Sequence, residues 1–179
     1  MRRIVRSGLA ALVVVLAGCS ATVGNPGASG SDWSYDVWTD SRGQFDISVA
    51  KGYAQDPAAG KEGDPTSVVH FVNADASASL SVAALQTQQH GDLQYYVDRY
   101  REQIAQHSEY DLLGDTPTVL ADGRSAHRFD ATGQDKRIVW FIVDDPKTFD
   151  LIAAVAVPDR WDAEQLPLLE MARSFTLHV

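Results

Sequence analysis

Polar and apolar residues alternate along much of the chain. In Trp33-Ser34-Tyr35-Asp36-Val37 and Phe45-Asp46-Ile47-Ser48-Val49 every second side chain is apolar, the period-two pattern of strands with one buried face. Asp40-Ser41-Arg42-Gly43 between them has the composition of a turn. Val68–Asn73 and Leu80–Leu85 form the next predicted strand pair, followed by Thr118–Ala121, Ser125–Ala131, Arg137–Asp144 and Phe149–Val157. Asp122-Gly123 is a type I′ hairpin signal and Asp145-Pro146 suits a tight turn, so the last strands are expected as an antiparallel meander. Ile138–Val143 and Leu151–Val157 are apolar at consecutive positions, which predicts central strands covered on both faces.

Two stretches carry helical spacing. Asp92 is placed to cap a helix whose Leu93, Tyr96, Val97, Tyr100 and Ile104 share one face. Asp98, Arg99, Arg101, Glu102 and Gln103 then form its solvated side. In the second stretch Asp162-x-x-Gln165 has capping-box form, with Trp161 and Leu166 spaced as a hydrophobic staple. Pro167 lacks the donor that the second turn would need, which puts the helix start near Leu166 or makes its first turn irregular. The helix should reach about Arg173, with Phe175–Val179 as a last short strand or extended tail. The fold class expected over residues 32–179 is α+β: an antiparallel sheet of about six to eight strands flanked by two helices.

Phe45-Asp46-Ile47-Ser48-Val49 followed by Lys51-Gly52-Tyr53, and the terminal Ala172-Arg173-Ser174-Phe175, resemble the Mog1/PsbP-like family, including actinobacterial lipoproteins of the LpqN kind. Members usually end a strand in Pro-x-Gly-Trp and the last helix in Ser-Phe. Here Ala50 stands at the proline and Tyr53 at the tryptophan, so the first motif is approximate. The resemblance implies an α/β/α sandwich and an accessory or binding role with no shared catalytic residues. The order of elements also suits an NTF2-like cone, or another α+β sheet with both helices on one side.

The amino terminus adds an address. Behind Arg2, Arg3 and Arg6 lies the short apolar run Leu9–Leu16, closed by Ala17-Gly18-Cys19. The run has signal-peptide length and falls short of the roughly 20 apolar residues of a spanning helix. Leu16-Ala17-Gly18-Cys19 resembles the lipobox of bacterial lipoproteins, in which cleavage precedes a lipidated cysteine. That resemblance implies lipidation of Cys19 and an extracytoplasmic, membrane-anchored location, with 1–18 as signal peptide and 19–31 as lipidated cysteine and flexible tether. Cys19 is the single cysteine, so a lipidated chain has no disulfide, thiol nucleophile or zinc-thiolate site. Loss of three arginines and no acid takes the formal charge from −9 to −12. Such acidity argues against nucleic acid and against attraction to anionic headgroups.

Catalytic patterns are weak. The histidines (His70, His90, His107, His127 and His178) form no HxH, HxxxH or HExxH spacing; His70 and His127 lie on predicted strands and would supply half a zinc site. Asp144, Asp145 and Asp150 surround a hairpin but lack EF-hand spacing. No Gly-x-Ser-x-Gly elbow or phosphate loop is present. Asp111 and Asp115 sit in what reads as a solvated connection, an unpromising place for glycoside hydrolysis. No cofactor and no metal site are expected. The long loop Gly52–Ser67, with Tyr53 at its base and Trp33 and Trp38 from the first strands, is the candidate surface for a partner or apolar ligand. The expected function is a non-catalytic binding or accessory protein for another envelope component. The alternatives are a carrier of a lipid or other apolar small molecule, and an envelope hydrolase.

Overall fold

Strand pairing joins the two halves of the chain in one large sheet. The computed structural model describes residues 33–57, 68–85, 92–144 and 149–178. Cys19, the signal segment and the tether lie outside the described residues, as do 58–67 of the long loop and Asp145-Pro146. The seven-stranded sheet has the order β3-β4-β5-β9-β8-β7-β6. It is antiparallel throughout. Its strands are β3 (Tyr53–Gln55), β4 (Val68–Asn73), β5 (Ala78–Leu85), β6 (Tyr110–Val119), β7 (Ser125–Gly133), β8 (Arg137–Asp144) and β9 (Phe149–Ala156). A second sheet holds β1 (Tyr35–Thr39), β2 (Phe45–Ala50) and β10 (Thr176–Leu177), with β2 in the middle. Helix α1 (Leu93–Gln106) links β5 to the far edge strand β6, and α2 (Pro158–Arg173) follows β9.

The apolar meander strands are central, as their composition requires. Ile138, Trp140 and Ile142 of β8 pack with Val97, Tyr100 and Ile104 of α1. Their alternating neighbours Val139, Phe141 and Val143 pack with Leu168, Met171 and Ala172 of α2, and with Phe45 and Ile47 of the small sheet. The sheet is thus enclosed by α1 on one face and by α2 plus the small sheet on the other. Asp92 caps α1 as expected, accepting from the Tyr95 amide at 2.9 Å.

The start of the supposed loop Gly52–Ser67 is edge strand β3, tied to the sheet by antiparallel pairing with β4, and four further local expectations fail for identifiable reasons. First, α2 begins at Pro158, whose fixed φ suits the first helical position, and it has no side-chain cap. Asp162–Gln165 is therefore helix interior, Leu166 is exposed, and Pro167 is buried inside a continuous helix. Second, β1 starts at Tyr35; Tyr35 and Trp38 pack against the core while Val37 is 71% exposed on this edge strand. Third, Asp122-Gly123 is no type I′ turn: only Gly123 has positive φ (87°), whereas I′ needs it at both central residues. Fourth, the supposed solvated connection at Tyr110–Thr116 is most of β6, which among the described residues pairs only with β7 and carries a bulge at Leu112/Gly114. An edge position also accommodates Pro117.

Candidate functional site

Helix α1 does not cover the whole of its sheet face. Beside its cap and first turns, a shallow cleft of about 590 Å3 opens between the helix and the β6–β7 hairpin. Leu93 and Val97 line it from α1, Pro117 and Val119 from β6, and Ser125 and His127 from β7. Gln94, Thr118, Ala126, Asp92 and Asp144 complete the lining, and both aspartates are exposed. Register explains the convergence: Pro117 lies opposite His127 and Val119 opposite Ser125, and residues two apart on a strand share a face.

Under one end of this cleft lies a charge cluster. Asp115 of β6 accepts from Arg101 of α1 through both oxygens, Nε to Oδ2 at 2.5 Å and Nη2 to Oδ1 at 3.1 Å. His127 Nε2 meets the same Oδ1 at 2.5 Å, and Arg101 Nη1 reaches Asp98 at 2.6 Å. The Arg101 guanidinium, against the opposing effect of burial and with help from His127, holds the Asp115 carboxyl below its ordinary range. Asp115 raises Arg101 in turn. An ionised Asp115 accepts only, so His127 donates from Nε2. His127 is only 9% exposed and stacks at 4.9 Å on Phe129. Arg101 is therefore more than solvated surface, since it clamps α1 to β6. Ser125 shares the cleft, but among the described residues no hydrogen bond joins its hydroxyl to the ring.

The expected aromatic site is assembled differently. Trp33 and Trp38 are half-buried and Tyr53 is buried, and all three pack on the core beneath α2 and the small sheet. Trp38 meets Phe71 edge-on at 5.3 Å. Tyr53 donates at 2.7 Å to Glu164 of α2, itself 5% exposed. Asn73 Nδ2 reaches Glu164 at 3.2 Å, and Asn73 Oδ1 accepts from the Ala78 amide at 3.1 Å. Burial first, then Glu164, push the Tyr53 hydroxyl far upward. Tyr53 thus holds α2 against β3 from inside, with its hydroxyl turned to Glu164. Sequence reasoning missed Glu164, Arg101 and the Asp115–His127 contact because each depends on partners set by tertiary register.

The other candidate groups separate. His70 lies on β4 beside Asp56 at 3.6 Å, with β5, β9 and β8 between it and His127 on β7, so the two histidines do not meet. Asp115 is engaged by Arg101 and His127, while Asp111 is exposed. Asp144 is exposed, Asp150 is buried, and Asp145 lies outside the described residues. No group of three or more potential metal ligands occurs among the described residues.

No protein-family model and no curated protein matches the sequence. Solved structures do match. The cyanobacterial PsbP protein CyanoP of Synechocystis sp. PCC 6803 superposes with a TM-score of 0.59 at 14% identity, over 87% of this chain and 99% of that one. The fold is Mog1/PsbP-like. The Ran-binding protein Mog1p of Saccharomyces cerevisiae gives the same TM-score, 0.59, at 14% identity over 82% of this chain and 96% of that one. LpqN of Mycobacterium tuberculosis, described as involved in cell envelope biogenesis, gives 0.50 at 11% identity over 82% and 92%. At these identities the likeness concerns the fold.

Proposed function

We propose that this chain is a lipid-anchored cell-envelope protein, tethered through Cys19, that acts without catalysis as a binding or accessory subunit for another envelope protein. The carrying observation is a filled interior beside an open cleft. Phe71, Phe129, Phe141 and Phe175 are all fully buried among close neighbours, which argues against an apolar carrier. The most distinctive polar cluster, Arg101–Asp115–His127, is bonded internally and fixes the shape of the cleft wall. A Mog1/PsbP-like neighbour described as Ran-binding is consistent with this fold presenting surfaces to proteins. Among the described residues no helix is long and apolar enough to cross a membrane, so attachment in this reading rests on the amino terminus.

Two measurements test the reading. Cys19→Ala should move the protein from membranes to the soluble fraction with the circular dichroism spectrum unchanged; retention of the processed variant on membranes removes the anchor. Photo-crosslinking residues placed singly at Val37, Leu113, Val119 and Leu166, all exposed, should capture one discrete envelope protein in cells. Capture at none of these positions overturns the accessory role.

A further inference from the structure

The accessory reading leaves the chemistry of the partner open, and the cleft beside α1 narrows it. Its polar lining is biased toward acceptance. Asp92 and Asp144 bring carboxylates to the rim, and Gln94, Thr118 and Ser125 add uncharged groups that both donate and accept. Among the described residues no lysine or arginine lines the space. The nearest described cation in the cluster, Arg101, is bonded to Asp98 and Asp115. The positive end of the α1 dipole also opens here, and Asp92 as its cap offsets it. Between the polar groups lie Leu93, Val97, Pro117 and Val119, the last 60% exposed. Acceptors around an apolar floor suit a donor-only cationic head on or beside an apolar stem, which describes arginine and lysine.

We propose that this cleft docks an extended segment of a protein partner that inserts an arginine or lysine flanked by an apolar residue. This deepens the accessory reading and rests on it. Charge complementarity selects the occupant. The chain carries a formal −9, so a basic segment is drawn in while a second copy is repelled. The chain's own residues 20–32 contain no lysine or arginine, so they cannot supply the cation. The volume of about 590 Å3 lies within the range of sites that seat a few side chains.

The probe is a hexapeptide mixture with arginine fixed at the third position, leucine at the fourth and the rest randomised, titrated into the full-length 15N-labelled chain in detergent. Amide shifts should concentrate at Gln94, Val119, Ser125 and Ala126, and binding should weaken severalfold between about 0.05 and 0.5 M salt. Asp92→Asn keeps the helix cap, since asparagine caps as well as aspartate, and Asp144→Asn alters only a rim charge. The double variant should keep its fold with at most a small drop in melting temperature and lose about fivefold in affinity. The same mixture with glutamate for arginine should not bind. Equal binding of the glutamate mixture, shifts centred elsewhere, concentration-dependent dimerisation through these residues, or no binding overturns the proposal. Failure here together with capture at Val37 or Leu166 would leave the accessory reading standing. Capture nowhere, with peptide bound in the cleft, would do the reverse.

Discussion

The two faces of the seven-stranded sheet are covered to different depths. One face carries α2 and a whole second sheet, and the buried polar groups there, Tyr53, Asn73 and Glu164, bond one another beneath the helix. The other carries α1 alone, and its polar cluster of Arg101, Asp115 and His127 lies at the margin of an open corner. Each network satisfies buried or half-buried polar atoms; the first reaches the surface through Arg160, which links Glu164 to Asp75, whereas the second borders the open cleft. The doubly covered face holds the larger buried core, and the singly covered face leaves the open cleft.

That contrast is broken most directly by truncation. Leu168→Ala on α2, at 0% exposure, should cost about 3–4 kcal/mol in urea unfolding, whereas Leu93→Ala on the cleft floor should cost about 1 kcal/mol. Equal costs would erase the distinction between the faces. Glu164→Ala leaves the Tyr53 hydroxyl without its acceptor and removes one of two acceptors of Asn73 Nδ2, which keeps Ser77, and should cost about 2–3 kcal/mol. Tyr53→Phe, which removes the hydroxyl alone, should cost about 1 kcal/mol. Asp115→Ala should cost about 2 kcal/mol and loosen α1 in hydrogen exchange.

The sign of the pH response follows from the depressed pKa of Asp115. Its contribution is present above the unfolded value, near ~4, and is lost as pH falls through the folded value. Acid should therefore weaken the α1 clamp, and Asp115→Asn should flatten the acid limb of the stability curve. The smallest effect belongs to His178, raised above its usual value first by Asp46 and then by the Gly43 carbonyl. Its contribution is full below ~6.5 and lost as pH rises through the folded value. Amide protection at His178, whose N–H bonds the Gln44 carbonyl, should accordingly fall in mild alkali.

Patterns that report burial on one element were legible in the sequence; patterns that depend on a partner were not. Ile138–Val143 showed its central position because two covered faces leave no room for polar alternation. The buried stripe and Asp92 cap of α1 likewise follow from local spacing. Edge strand β6 is exposed at Asp111, Leu112 and Leu113 and bulged, so it has no period to detect. Without β6 the register that brings Asp115 to His127 was invisible. The partner of Tyr53 lies 111 residues away, and nothing near Tyr53 announces it. Pro167 misled because propensity counts the missing donor while packing supplies the burial that offsets it.

The small sheet has a mechanical consequence. Tyr35 of β1 lies opposite Ala50 at one end of β2, and Leu177 of β10 lies opposite Phe45 at the other. Tension applied between residue 33 and residue 178 therefore pulls β1 and β10 in opposite directions along the strands. The flanking ladders meet that load in shear, their hydrogen bonds strained together rather than peeled one after another, so a chain held at its amino end and tugged at its carboxyl end should yield abruptly.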